Sequence, residues 1–502
     1  MYKLVHLEIV TAVQPDRPPA SSGLPDSEVL VVACFEGEQP AADALPEDVR
    51  RTVENAVAKR AFSGREKQCV EASGVGTPVS AVAVHGLGKR TELDARKMAA
   101  WCDRVVESLR TNDVERAVIA LPDCPETRGP ASAERICRRL SLAGYRFDQY
   151  REEARTSPVR LREIALVPPP GESDLYREML GVGRAVARGV AFTRDLANSP
   201  ANVADPEWME QRARELARDA GMEVTVVGPD ELEERGMGGI LAVGKGSSRP
   251  PRLVRLAWGQ EGPTVALVGK GVTFDTGGIS LKPPARLDEM KYDKSGACTV
   301  LGIGRAVADL ALPIRLRIYL PLAENMPDGA AYRPGDIIRC YGGRSIEIMN
   351  TDAEGRLLLA DAMALAAEEQ PDALLELSTL TGACVVALGH HGAGLYSPDD
   401  ELADGLLAAA SDGGERLWRL PLWKEFVEEM QGTHADLKNT GGRWGGANLA
   451  AAFLSQFVGE LDRWAHLDIA GPAQIPKENN GSQGATGYGV ALIVHWLRSL
   501  VS

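Results

Sequence analysis

The sequence predicts an α/β protein built as two layered α/β domains: a smaller N-terminal sheet domain, and a larger C-terminal domain with a mixed sheet flanked by helices. Three observations carry that prediction. At 502 residues the chain exceeds what one ordinary hydrophobic core holds. Residues 2–168 alternate short apolar, β-branched runs with helix-like stretches. Farther on, apolar strand-like runs empty into charged, glycine-containing corners that lead into helix-like runs.

In the first part, strand-like runs at 29–34, 79–85, 117–121 and 164–167 are separated by helix-like runs at 46–61, 93–109 and 133–144. The proline- and serine-rich stretch 14–23 reads as a surface loop. His6 and His85 sit inside strand-like runs and read as packed side chains rather than ligands. Pro-Pro-Pro-Gly-Glu-Ser-Asp at 168–174 breaks the last strand and offers helix-starting residues before a helix-like run at 175–196. The expected division is an N-terminal α/β domain at 1–168, a linker helix at 169–196 and a C-terminal domain at 197–502.

Composition narrows the function classes. Hydrophobic residues make up 44% and charged residues 25%, as in soluble globular proteins. No stretch of about 18 apolar residues runs without a charge or a break, so a membrane span is not expected. Residues 1–15 carry Glu8 inside their apolar run and lack the order of a signal peptide, so the expected location is cytoplasmic. Eight cysteines without a Cys-x-x-Cys pair fit reduced, buried thiols, and Cys298 and Cys384 read as core residues. A formal net charge of −14 opposes binding to a phosphate backbone, so nucleic acid is not an expected partner.

The chemistry concentrates at Asn-Thr-Asp-Ala-Glu-Gly-Arg-Leu, residues 350–357, between a strand-like run at 345–349 and a helix-like run beginning near Leu358. If extended geometry continues through the corner, Asp352 and Glu354 project to one side, with Arg356 following. Flanked by Ile346, Ile348, Leu357, Leu358 and Leu359, the two carboxylates stay ionised together only if cations neutralise them, and Arg356 balances one. A metal ion is the simplest further cation. The alternative is a solvated acidic turn capping the next helix.

A second corner favours the metal. The apolar run 264–268 reads as a buried parallel strand and empties into a glycine-rich stretch, 269–283, that carries Lys270, Asp275 and Lys282. Met290-Lys291-Tyr292-Asp293 adds an acid before a helix-like run at 297–308. Ligands collect at the carboxyl ends of strands in open α/β sheets. Other chemistries lack their patterns. Gly239, Gly244 and Lys245 have the spacing of a phosphate loop, but Gly246 stands where Ser or Thr is required. No Gly-x-Ser-x-Gly occurs. His390, His391, His434 and His466 lack His-Glu-x-x-His spacing and read as structural or supporting residues.

Residues 268–283, Val-Gly-Lys-Gly-Val-Thr-Phe-Asp-Thr-Gly-Gly-Ile-Ser-Leu-Lys-Pro, together with 290–293 and 350–357, resemble the signature segments of the leucyl aminopeptidases, the cytosolic family of two-metal exopeptidases. Residues 374–389, 435–446 and 464–471 resemble segments that line that family's active site and its mouth. Residues 197–204 resemble the opening of its catalytic domain. The likeness is strong over 195–497; over the first domain it is architectural and implies a macro-like sheet.

The resemblance implies a metal-dependent aminopeptidase acting on peptides with a free N-terminus. Lys270, Asp275, Asp293 and Glu354 would hold one ion, and Asp275, Asp352 and Glu354 the other, with Asp275 and Glu354 bridging. Lys282 and Arg356 would be the catalytic pair, and Arg356 would help hold a bicarbonate that shuttles a proton from the bridging water. Lys270 would have to be neutral to serve as a ligand. Manganese or zinc is expected, with magnesium and cobalt compatible with one amine and otherwise oxygen donors. Met290, Thr379, Gly382 and Ala470 would line a pocket for a leucine-like first residue. A homohexamer is implied.

Two departures stand out. Lys294-Ser295 occupies the place of a Met followed by a small residue, which adds a cation beside the site. Pro472 replaces a usual Thr. Two other readings were weighed. A two-metal phosphoesterase would usually add histidines, and the acidic balance opposes a non-catalytic DNA-binding, regulatory hexamer.

Overall fold

The computed structural model describes residues 6–9, 27–41, 45, 47–58, 62–73, 79–152, 160–476 and 484–501. The loop expected at 14–23 and the side chain of His6 lie outside the described set. The chain forms two compact units, Met1–Ala187 and Arg188–Ser502, divided within the long helix Ser173–Asn198.

In the first unit, strands β1 (His6–Ile9), β2 (Ser27–Phe35), β3 (Cys69–Ser73), β4 (Val79–Gly88), β5 (Arg116–Ala120) and β6 (Glu163–Val167) form one sheet, ordered β1-β6-β5-β2-β4-β3. All neighbours are parallel except β3 and β4. Helices Glu47–Ala58, Ala95–Thr111 and Pro130–Ser141 connect the strands. Asp94 starts the second of these helices by accepting the backbone N–H groups of Arg96 and Lys97, a side-chain N-cap. Leu30, Val32, Val82, Val84 and Val118 are fully buried in this unit's core. His85 packs in β4 as the sequence predicts. Burial, aided by Arg104, pushes its imidazole down to about 4 from 6.5, and its Nε2 lies 3.4 Å from Cys69 Sγ.

The second unit is built on a nine-stranded mixed sheet. Its strands are β7 (Glu223–Val227), β8 (Arg252–Trp258), β9 (Thr264–Gly269), β10 (Gly271–Asp275), β11 (Arg315–Asn325), β14 (Ala373–Ser378), β15 (Ala393–Tyr396), β16 (Leu417–Arg419) and β18 (Trp464–Asp468). The path runs β16-β15-β18-β14-β9-β11-β8-β7, and β10 pairs with β11 beyond the end of β9. A small separate sheet joins β12 (Ile337–Arg339), β13 (Ser345–Glu347) and β17 (Leu437–Lys438).

At the centre of the large sheet, β18, β14, β9 and β11 are mutually parallel, so their carboxyl ends share one edge. The apolar run read at 264–268 is β9; Val265, Leu267 and Val268 are fully buried between parallel neighbours. Helices Ser295–Asp309 and Gly355–Glu368 pack on the sheet, buried along most of their lengths, as expected of helices covering a parallel sheet. Among the described residues no helix is long and apolar enough to cross a membrane. Cys298 and Cys384 are buried, and burial pushes both thiols up to about 12, which fits core residues rather than nucleophiles.

Candidate metal centre

The carboxyl edge of the central strands gathers the charged residues. Lys270 follows β9, Asp275 ends β10, Asn325 ends β11, and Thr379 follows β14. Asp293 comes from a 3-10 segment, Leu287–Lys294, that runs directly into the Ser295–Asp309 helix. Carboxylate oxygens of Asp275, Asp293 and Glu354 lie within 4.8 Å of one another, and all three residues are buried.

Lys270 lies among them. Its Nζ is 2.8 Å from Asp293 Oδ1 and 2.9 Å from Glu354 Oε1, and it donates to the Thr379 carbonyl at 3.2 Å. Lys282 Nζ sits 2.9 Å from Asp275 Oδ2 and also pairs with Asp352 Oδ1. Gly355 permits this packing, since a Cβ there would fall 2.5 Å from Lys270 Cε. Gly277 adopts φ +84, in the left-handed region, and its N–H donates to Asp275 Oδ1 at 2.8 Å.

Electrostatics at the cluster are those of an excess of acid. Burial, then Glu354 and Asp293, push the Asp275 carboxyl up to about 7. Burial and Asp275 push Asp352 up to about 6. Burial works against the Lys270 charge, but Asp293, Glu354 and Asp275 outweigh it and hold the ammonium above its ordinary range. Four carboxylates thus face two ammonium groups, and Asp293 Oδ2 is buried with no hydrogen-bond partner. An orphaned buried carboxylate oxygen beside mutually repelling carboxylates suits hard divalent cations. The donor set, oxygens plus one amine, fits the metal that the sequence points to.

Two sequence expectations change at the 350–357 corner. Extended geometry does not continue through it: β13 ends at Glu347, Asp352 N–H donates to Asn350 Oδ1 in an Asx turn, and Glu354 is already helical at φ −76, ψ −40. The carboxylates are brought together by a tight turn into a helix rather than by strand alternation. Arg356, on the first turn of that helix, is not ion-paired with these carboxylates, although Glu354 favours its charge, and its Nη1 donates 2.8 Å to the Asn439 carbonyl. It is 7% exposed, burial pulls its guanidinium down to about 10, and its Nε has no partner.

The cation expected beside the metals behaves differently as well. Lys294 directs its ammonium to the backbone carbonyls of Ala197, Ser199 and Lys291, so it donates no hydrogen bond to the carboxylate cluster, although Asp293 still favours its charge. Of the pocket residues named from sequence, Thr379 Oγ1 donates to Asp293 Oδ1 at 2.7 Å, and a Cβ on Gly382 would meet open space.

Sequence reasoning missed several supporting residues. Asn325, fully buried, donates from Nδ2 to Asp275 Oδ1 at 2.8 Å and to the Thr351 carbonyl at 3.0 Å. Asn439 accepts the Met349 N–H and donates to the Asn350 carbonyl, holding the acidic corner from outside. Asp468 accepts the Thr381 hydroxyl and the N–H groups of Leu380 and Ala470. His466, read as structural, is fully buried with its Nδ1 on Glu376 Oε2. A carboxylate inside the apolar β14 run Ala-Leu-Leu-Glu-Leu-Ser was the available signal for Glu376.

Comparison with known proteins follows the same lines. A model of the cytosol aminopeptidase family's catalytic domain matches residues 191–494, and a model of that family's N-terminal domain matches residues 31–154. The probable cytosol aminopeptidase of Geobacter sp. is 42% identical over 479 residues, 93% of this chain and 96% of that protein. That of Aquifex aeolicus is 38% identical over 482 residues, 94% and 96%. Among solved structures, the bottromycin maturation enzyme BotP in complex with Mn aligns with a TM-score of 0.81 at 35% identity, covering 95% of this chain and 100% of that one. A mutant of tomato leucine aminopeptidase aligns with a TM-score of 0.83 at 27% identity, covering 99% and 96%. With its buried acidic cluster at the carboxyl edge of a mixed sheet and both family domains present, the chain belongs to the cytosol aminopeptidase family and is a metal-dependent peptidase that removes residues from peptide N-termini.

Proposed function

We propose that Lys270, Asp275, Asp293, Asp352 and Glu354 hold two divalent ions, manganese or zinc, with magnesium and cobalt also compatible, and that Lys282 and Arg356 are the catalytic pair. The observation that carries this reading is the convergence of three buried carboxylates, two of them paired with the Lys270 amine, with Asp293 Oδ2 left unpartnered. Bound there, divalent ions supply the Lewis acidity that polarises a scissile carbonyl and acidifies water. With ions bound, Lys270 would lose the carboxylate attraction that holds its proton and could offer its lone pair as a ligand.

Lys282 keeps its proton and stands at the rim of the cluster, with 23% of its side chain exposed. From there it stabilises negative charge developing on the carbonyl oxygen. Arg356, whose Nε is unpartnered, would hold a small anion such as bicarbonate, which would supply a proton relay between water and leaving amine. The Mn complex of BotP supports manganese as one occupant.

Substrates are peptides whose free terminal amine and first carbonyl fix the scissile bond at two points, so only the first peptide bond is aligned. Met290, Thr379, Gly382 and Ala470 receive the first side chain, and the open space at Gly382 suits a leucine-like group. We read the protein as a cytoplasmic homohexamer, in keeping with the family's name and the sequence resemblance.

A matched pair of substrates tests this reading. Leucine p-nitroanilide is expected to be hydrolysed by manganese-loaded protein and its N-acetylated form to be inert. Comparable cleavage of the acetylated member, or cuts at internal peptide bonds, contradicts it.

A further inference from the structure

Lys294 is fully buried, one residue beyond Asp293 and at the junction of the 3-10 segment with the Ser295–Asp309 helix. Its Nζ donates to three backbone carbonyls, Ala197 at 3.3 Å, Ser199 at 2.9 Å and Lys291 at 2.5 Å. Three donated hydrogens are the full complement of an ammonium, and a neutral amine has only two. No carboxylate is among its hydrogen-bond partners; carbonyl dipoles surround the charge, and Asp293 favours it from beyond hydrogen-bond range. Ala197 belongs to the last turn of the Ser173–Asn198 helix and Ser199 lies just past it, where unpaired carbonyls carry the negative end of the helix dipole. The surrounding corner is tied further by Asn198 Oδ1, which accepts the Tyr292 hydroxyl at 3.3 Å and the Ala485 N–H at 2.9 Å.

We propose that the Lys294 ammonium is a tethered monovalent cation: it fills a backbone carbonyl cage that joins the 197–199 corner to the segment carrying Asp293, and it spares this chain a free sodium or potassium ion there. Hard carbonyl oxygens converging on one buried positive charge form the coordination that alkali cations take in proteins. Without the ammonium, the Ala197, Ser199 and Lys291 carbonyls are left facing one another, and a free cation is the species that satisfies all three. The cage stands on its own geometry. Its effect on catalysis, through the placement of Asp293, rests on the proposed metal assignment.

The test separates the two. Thermal unfolding is recorded with a chelator present, at equal ionic strength in tetramethylammonium, sodium or potassium chloride, for the full chain and for Lys294→Met, which is one atom shorter, unbranched like lysine, and carries no charge. The wild type is expected to show the same Tm in all three salts. Lys294→Met is expected to unfold at least about 3 °C lower in tetramethylammonium and to regain at least half of the loss in sodium or potassium. If Lys294→Met gives no folded protein in any salt, Lys294→Gln, whose amide oxygen can complete a cage around an ion, is measured with the same expectations.

A wild type stabilised specifically by sodium or potassium overturns the proposal. So does a variant as stable as wild type in tetramethylammonium, or one that neither ion stabilises beyond its effect on the wild type. Hydrolysis of leucine p-nitroanilide by the manganese-loaded variant, followed across the same salts, then reports on Asp293. Cation-rescued stability without cation-rescued activity leaves the cage intact and counts against Asp293 as a metal ligand.

Discussion

Asn325 links the two acidic corners through one amide. Its Nδ2 reaches both Asp275 Oδ1 and the Thr351 carbonyl, and Thr351 Oγ1 in turn donates to the Gly277 carbonyl at 2.6 Å. In Asn325→Ala, Asp275 Oδ1 keeps only the Gly277 N–H, and the Thr351 carbonyl keeps only the Tyr332 hydroxyl. Groups that orient a metal ligand typically carry about 10–100-fold in affinity or activity. That loss in manganese affinity is expected by titration, and an unchanged affinity contradicts Asp275 as a ligand. Gly382 gives the opposite kind of prediction. A Cβ there meets nothing within 4 Å, so Gly382→Val is expected to raise KM for leucine substrates several-fold with little change in Tm. A variant with unchanged kinetics removes Gly382 from the pocket. The ionisable residues of the site were legible in the sequence because they sit in long, unusual motifs. Asn325 was not, and Asn439 and Asp468 were legible only as members of longer segments, because a single polar residue near a strand end looks the same whether it supports a site or faces solvent.

Among the elements, β4 carries a titration of its own. His85 is 5% exposed and held down to about 4 by burial and Arg104, against 6.5 when free. The folded state therefore binds fewer protons than the unfolded state between these values, so stability is complete above about pH 6.5 and is lost as pH falls toward 4. The loss is on the order of 3 kcal/mol when complete. Thermal unfolding at pH 7 and pH 4.5 is expected to show a smaller Tm difference in His85→Leu than in the wild type; equal differences contradict the burial account. Element reading from sequence worked best where an apolar run is mostly buried, as in β2, β9 and the Ser295–Asp309 helix. It missed β3, an edge strand in which Val70 alone is buried among the described side chains, because such a strand carries almost no alternation to detect. It misjudged the 350–357 corner because an Asx turn and a helix start can bring two carboxylates together as readily as a pleat can.

For the whole molecule, the formal net charge of −14 sets its behaviour toward polyanions. Binding duplex DNA requires clustered basic side chains whose counterion release makes affinity salt-dependent, so no salt-sensitive gel shift is expected near physiological ionic strength. A tight complex that weakens steeply with salt revives the regulatory reading. The α/β class with two sheet-based units was legible in the alternation of apolar runs. The division falls inside one continuous helix, whose periodicity carries no mark where packing partners change. The central claim is that five side chains at the carboxyl edge of the large sheet hold two ions. Native mass spectrometry after loading with manganese, comparing wild type with Glu354→Gln, tests it most directly. The account predicts two ions per chain in the wild type and fewer than one in the variant, with both proteins folded. Two ions retained by Glu354→Gln, or a fully active wild type that carries none, would contradict it.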